Sequence, residues 1–255
     1  VSGFESLDRR YTRGEVVMAY TEVRGEGAET FVMLHGIGMG RIVFADVNDV
    51  LASAGRVIAV DLPGFGDSPE PGSAATLEET AEVLAEFIRD ETYQQVVLVG
   101  HSMGTQIAAE IACKHPELVR ALVLIAPTVN RRERTALKQA ARMMQDLVGE
   151  GPKVLLLGLW EYLKTSPIWF VNKLKFMLEH RLEAICAKIA APTLVLRGET
   201  DRVCPRNWVS EIADAIPNSE MSEIEDRGHE AIIKSPEPVA SMILEFLRSR
   251  GLLRN

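Results

Sequence analysis

Gly100-His101-Ser102-Met103-Gly104 follows the apolar run Val96-Val97-Leu98-Val99 and leads directly into a helix-like stretch, Thr105 to Lys114. The G-x-S-x-G pattern alone is cheap, since roughly one chain in ten of this length carries it by chance at ordinary Gly and Ser frequencies. Its context narrows the reading. A buried strand before the serine and a helix after it is what a nucleophile elbow needs, a turn so tight that the serine backbone is strained and its Oγ stands clear. Gly100 and Gly104 fit that turn, because a Cβ at either position would strike the neighbouring strand or helix.

A serine hydroxyl is a weak nucleophile without a base in hydrogen-bond reach. Of the five histidines, His229 is the best placed, in Asp226-Arg227-Gly228-His229-Glu230 between the last candidate strand and the last candidate helix. Ligands of open α/β folds bind at that edge of the sheet. His101 should point away from the Ser102 hydroxyl, His115 reads as a helix end before Pro116, and His180 as a surface position in mid-helix. The base needs an acid to fix its tautomer. Asp201, after the strand Thr193 to Leu196, fits best. Glu199, Glu225 and Asp226 are its rivals, although Asp226 is too near His229 in sequence to reach round to it.

Acyl transfer also needs donors aimed at a developing oxyanion. His35-Gly36-Ile37-Gly38 follows the candidate strand Thr30 to Leu34, and its glycines let the backbone curl toward the serine. The backbone N–H groups of Ile37 and Met103 are the expected donors, with an ordinary glycine turn as the other reading of His35-Gly36. The run Gly36-Ile37-Gly38-Met39-Gly40 lacks the G-x-G-x-x-G spacing of a dinucleotide site. Neither a cofactor nor a metal is expected.

The elements that must position these residues are legible as an alternation of apolar strands and amphipathic helices, which predicts an α/β fold with a mostly parallel sheet covered on both faces. Strands are expected at Val16 to Val23, Thr30 to Leu34, Arg56 to Val60, Gln95 to Val99, Ala121 to Ile125, Thr193 to Leu196 and Glu220 to Ile224. Leu7 to Thr12 can form an opening hairpin with the first of these. Thr76 and Glu79 form a capping-box pattern at the head of a helix reaching Arg89, and the final helix runs from Glu237 to Arg248.

The alternation breaks between Thr128 and Ala190. Only helices are expected there, roughly Arg132 to Val148, Lys153 to Lys164 and Pro167 to Ile189, with Ser166-Pro167 as cap and first residue of the third. The expected organisation is a core of residues 1–127 and 191–255 with a helical lid, residues 128–190, inserted over the sheet edge. Most of its apolar residues (Leu155, Leu156, Leu157, Leu159, Trp160, Leu163, Ile168, Trp169, Phe170) should be core, and the rest should line a greasy pocket facing Ser102. His35, Gly36, His101, Leu156, Trp160 and Trp169 are the expected substrate contacts.

Bulk properties exclude other classes. The chain has 255 residues, 47% hydrophobic, and a net charge of −8, which suits one large globular domain and argues against a nucleic-acid surface. No apolar run approaches the ~18 residues of a membrane span. Cys113, Cys186 and Cys204 are odd in number, widely spaced and without C-x-x-C, so neither a disulfide framework nor a zinc site is expected and a cytoplasmic location is. Val1 to Arg13 is polar, without the apolar core of a secretion signal. The partner to expect is a small-molecule substrate; oligomeric state is not legible.

Four separated motifs resemble the α/β-hydrolase superfamily, specifically its lidded serine esterase-like branch, over essentially the whole chain. They are His35-Gly36-Ile37-Gly38, Asp61-Leu62-Pro63-Gly64-Phe65-Gly66-Asp67-Ser68, Gly100-His101-Ser102-Met103-Gly104, and Asp201 with His229. The order Ser102, Asp201, His229 is the one such proteins show. The second motif is a structural loop in similar proteins, so Asp61 and Asp67 are not assigned catalysis. A serine rather than an aspartate at the elbow implies acyl chemistry, and Thr105 stands where similar proteins often have glycine. The resemblance implies hydrolysis of a carboxylic ester or lactone. Two alternatives are carbon–carbon bond hydrolysis of meta-cleavage type and, from another class, a non-catalytic small-molecule receptor, with perhydrolase or other promiscuous chemistry on the same triad as a third. The first needs a substrate carboxylate held, and Arg131, Arg132, Arg134 or Arg142 either serves that end or forms a solvated helix face.

Overall fold

The computed structural model describes residues 3–147, 156, 160, 161 and 163–253. Its strands are β1 (Glu5–Arg13), β2 (Val16–Arg24), β3 (Glu29–Leu34), β4 (Gly55–Val60), β5 (Val96–His101), β6 (Val119–Ile125), β7 (Thr193–Gly198) and β8 (Ser219–Ile224). They form one eight-stranded sheet in the order β1-β2-β4-β3-β5-β6-β7-β8. β2 runs antiparallel to β1 and β4, and every pair from β4 across to β8 is parallel. The helices are α1 (Ala45–Leu51), α2 (Leu77–Glu91), α3 (Met103–Lys114), α4 (Ala136–Leu147), α5 (Pro167–Glu179), α6 (Leu182–Ile185), α7 (Arg206–Ala215), α8 (Ala231–Lys234) and α9 (Pro236–Ser249).

Alternate side chains of the central strands enter two separate cores. Val32, Leu34, Ile58, Val60 and Leu98 pack with α2, α3 and α7 on one face. Phe31, Met33, Val57, Ala59 and Val97 pack with α1 and α9 on the other. Helices on both faces explain why β3 and β5 are buried at every position and read as unbroken apolar runs rather than alternating ones. The capping box on α2 is complete, with Thr76 Oγ1 accepting from the Glu79 N–H and Glu79 Oε2 from the Thr76 N–H.

The connection from β6 to β7 departs from expectation in several ways. α4 begins at Ala136 rather than Arg132. The third helix ends at Glu179 instead of reaching Ile189, because His180 turns to extended backbone and is buried, its Nε2 2.9 Å from Glu110 Oε1. Arg134 fixes that break by donating to the Leu178 carbonyl at 3.1 Å and to the His180 carbonyl. His180 is therefore not a mid-helix surface residue. Leu155, Leu157, Leu159 and most of the expected helix Lys153 to Lys164 lie outside the described residues.

The apolar residues of this connection are also distributed differently. Leu156 and Trp160 are 67% and 64% exposed, and Leu163 and Ile168 are exposed too. On α5 the buried stripe is Trp169, Lys173 and Met177, one residue per turn, and Ile168 lies off it. Nearby, Glu161 and Thr165 are buried. Polar side chains thus occupy part of the inward face, and the apolar ones left over point outward. Among the described residues no helix is long and apolar enough to cross a membrane.

Candidate active site

The loops after β3, β5, β7 and β8 leave the carboxyl edge of the sheet together, and they carry Gly36, Ser102, Asp201 and His229. Ser102 sits between β5 and α3 with φ 52° and ψ −119°, a region that side-chain-bearing residues enter only under strain. Close packing forces this. A Cβ on Gly100 would lie 2.4 Å from the Gly104 carbonyl oxygen, and one on Gly104 would lie 2.2 Å from that of Leu34. β3, β5 and α3 are thus locked at bare-backbone distance, and the turn between them has no slack.

Ser102 Oγ lies 3.0 Å from His229 Nε2, and His229 Nδ1 lies 3.0 Å from Asp201 Oδ2. The other oxygen of Asp201, Oδ1, accepts from the backbone N–H groups of Val203 and Cys204, each at 2.8 Å. All three side chains are buried. The rivals of Asp201 point elsewhere. Glu199, Glu225 and Asp226 are exposed, and Glu199 Oε2 takes the Asp226 N–H at 3.1 Å.

Electrostatics follow from this burial. For Asp201, burial pushes the carboxyl pKa up, but His229, the Cys204 N–H and the Arg197 guanidinium outweigh it and hold it below the ordinary carboxylate value. For His229, burial pulls down and the Asp201 carboxylate lifts; the carboxylate wins, and the ring sits well above the ordinary 6.5. An imidazole hydrogen-bonded to a hydroxyl on one side and a carboxylate on the other can draw off the hydroxyl proton and keep it.

The flanking residues resolve into distinct tasks. Gly36 passes across the nucleophile, since a Cβ there would lie 3.0 Å from Ser102 Cβ and 3.4 Å from its Oγ. That brings the following residue, Ile37, to the same edge. Met103 is the first residue of α3, so its N–H has no acceptor within the helix. His35 is fully buried, with Nδ1 2.7 Å from the Gly36 carbonyl and Nε2 accepting the Leu62 N–H at 2.9 Å. Both ring nitrogens are committed to backbone, so it staples loops rather than contacting substrate. His101 is buried as well and places Nε2 3.1 Å from the His229 carbonyl oxygen. Burial, then the neighbouring His229, push it down to about 3, so it is neutral across the working range.

Leu156 and Trp160 are largely exposed, and Trp160 borders a cleft with Arg41, Asp61 and Lys164. Trp169 packs on Gly64 so closely that a Cβ there would lie 2.1 Å from its Nε1. The Asp61–Ser68 loop is built around the buried Asp61 carboxylate, which takes the Arg41 N–H at 2.5 Å, the Asp67 N–H at 2.8 Å and the Arg41 guanidinium.

Three residues important here carried no sequence signal. Cys204 Sγ lies 3.9 Å from His229 Nδ1, Asp146 reaches the same loop from α4, and Glu110 tethers His180. Asp201, Cys204 and His229 bring donor atoms within 4.8 Å of one another. A metal would need the thiolate, and burial pushes this thiol up to about 12. Glu78, Glu110 and His180 form a second such cluster, in which Glu110 is already bound to Lys114 at 3.1 Å. Neither is a convincing metal site.

Residues 31–242 match the alpha/beta hydrolase family, and the chain belongs to it. Among its relatives, a 2-hydroxy-6-oxo-6-(2'-aminophenyl)hexa-2,4-dienoic acid hydrolase from Metapseudomonas resinovorans is 28% identical, covering 96% of this chain and 92% of its own. A pimeloyl-(acyl-carrier protein) methyl ester esterase from Aeromonas hydrophila is 27% identical over 88% of this chain and 96% of its own. In fold, the thermophilic esterase of Thermogutta terrifontis superimposes with a TM-score of 0.81 at 24% identity, covering 95% of this chain and 98% of that one.

Proposed function

We propose that the protein is a serine hydrolase that cleaves a carboxylic ester or lactone of a small-to-medium hydrophobic molecule through an acyl-serine intermediate. One observation carries this reading: the unbroken hydrogen-bond chain Ser102, His229, Asp201, buried at the edge of the sheet where a strained turn presents the serine. Ser102 Oγ attacks the carbonyl carbon while its proton passes to His229 Nε2. Asp201 holds the ring in the Nδ1–H tautomer and steadies the imidazolium. The carbonyl oxygen, now negative, is received by the backbone N–H groups of Ile37 and Met103, each such donor contributing about 3 kcal/mol. His229 returns the proton to the departing alcohol. A water molecule, deprotonated by the same ring, then attacks the acyl carbon and frees the acid and Ser102.

In this reading residues 128–190 are a cap on a core made of residues 1–127 and 191–255. Its contacts with the core support that division. Thr165 Oγ1 donates to the Gly64 carbonyl at 3.2 Å, Ser166 N–H to Glu70 at 2.8 Å, and Gln106 on α3 donates to the Met177 carbonyl at 2.9 Å.

The relative named as a dienoic acid hydrolase favours a second reading, hydrolysis of a carbon–carbon bond in a vinylogous diketone acid. The arginines that would hold its carboxylate are already engaged. Arg131, Arg134 and Arg142 pair with Glu211, Glu183 and Glu133 at 2.8, 2.6 and 2.6 Å, and Arg132 is 4.0 Å from Glu211. Three of the four thus already hold a close carboxylate partner, which puts the ester reading first. A panel of chromogenic esters of graded acyl length, a lactone and a vinylogous diketone acid tests it. Turnover of the esters or lactone with little of the diketone acid is expected, and turnover of the diketone acid alone would overturn it.

A further inference from the structure

α4 sends one buried carboxylate into the middle of the site. Asp146 Oδ2 accepts the backbone N–H of His229 at 2.7 Å, and Asp146 Oδ1 accepts that of Arg202, the residue after Asp201, at 3.1 Å. Those amides lie on loops that have left the sheet and need acceptors that no strand supplies. A carboxylate satisfies both with charge-assisted bonds. The fit is close on the other side as well, since a Cβ on Gly228 would lie 2.8 Å from Asp146 Oδ2. One side chain from the β6–β7 connection thus bridges the backbone beside the acid and the backbone of the base.

We propose that Asp146 is a positioning residue: it sets the His229 loop against the Asp201 loop and makes their alignment depend on how α4 is seated. The inference rests on the serine-hydrolase reading above. It gives the connection a part in holding the base, through a residue 83 positions away in sequence whose carboxylate accepts from main-chain amides.

The test compares four variants of the full chain in ester hydrolysis and in the low-field proton signal of the His229–Asp201 hydrogen bond. Asp146→Ala is expected to lower kcat by about 100-fold, the penalty of displacing a reacting group by about an ångström, with KM little changed and the low-field signal broadened by exchange. Asp146→Asn, near in shape and able to fold where alanine fails, should recover part of the rate because its one carbonyl oxygen replaces one of the two acceptors. Gly228→Ala should reproduce the alanine phenotype by pushing the carboxylate away. Met144→Ala, on the exposed side of α4, should behave as wild type. Wild-type kcat and an unchanged low-field signal in Asp146→Ala and Asp146→Asn would overturn the proposal. So would an equal loss in Met144→Ala, which would mean that any loosening of α4 has the same effect. Failure of the underlying reading is separate: Ser102→Ala would then still hydrolyse esters, whatever the low-field signal does on changing Asp146.

Discussion

Asp201→Asn isolates the tautomer on which the proposed mechanism depends. The two oxygens of Asp201 are not equivalent: Oδ1 receives two backbone N–H groups at 2.8 Å, and Oδ2 faces His229 Nδ1 at 3.0 Å. An asparagine must keep its carbonyl oxygen at the Oδ1 place, because turning the amide would set its NH₂ against two buried donors at about 1–3 kcal/mol for each bond left unmade. The NH₂ then faces Nδ1, which becomes an acceptor, and the ring proton moves to Nε2, facing the Ser102 hydroxyl. In that tautomer the imidazole cannot accept the serine proton. Restoring the other tautomer sets donor against donor, and the imidazolium loses its counter-charge. Together these cost about 5 kcal/mol, or roughly 10⁴ in kcat. The assay is steady-state release of a chromophore from a short-chain aryl ester, with circular dichroism to check folding. The residual activity should also shift its acid limb to lower pH, since the carboxylate that lifts the ring against burial is then gone. A fall of less than about tenfold in kcat, or a larger fall in Glu199→Gln or Asp226→Asn, would refute the reasoning.

Three further outcomes follow from the same structure. Activity should rise with pH to a midpoint above the ordinary histidine value: the base works only when neutral, and Asp201 holds its proton on to higher pH against the opposing effect of burial. A kcat/KM profile from pH 5 to 9 that is flat, or has its midpoint below 6.5, would contradict this. Ser102→Gly should abolish ester hydrolysis yet raise the melting temperature by about 2–4 °C, because glycine relieves a strain of about 1 kcal/mol at φ 52°; an unchanged or lower Tm would show the turn to be unstrained. Gly104→Ala should lower stability by about 3 kcal/mol or more, since its methyl would sit 2.2 Å from the Leu34 carbonyl oxygen. Denaturant unfolding measures this, and a midpoint equal to wild type would mean that α3 can move off β3.

What the sequence made legible was whatever depends on local period and local turn chemistry. The buried strands, the Thr76–Glu79 capping box and the glycines flanking Ser102 each declare themselves within a few residues. Ser102, Asp201 and His229 could be singled out because each follows a strand ending at the same edge. α1 and α7 were harder: α1 is short, and α7 follows Pro205 without a capping side chain. Contacts to main chain left no trace. Asp146 binds two amides far away in sequence, and no residue type at positions 202 or 229 announces that an acceptor is needed. Hydropathy misled along the β6–β7 connection. Trp160 and Ile168 are exposed while Lys173 is buried, its ammonium donating to the Ala75 carbonyl at 2.7 Å, so composition there did not report burial.

Where a covalent inhibitor attaches is the most direct test of Ser102 as nucleophile. After reaction with an aryl-ester-mimicking fluorophosphonate, intact-protein and peptide mass spectrometry should find one adduct, on Ser102, with its formation greatly slowed in His229→Ala and absent in Ser102→Ala along with ester turnover. Adduct on another residue, or ester hydrolysis persisting in Ser102→Ala, would contradict it.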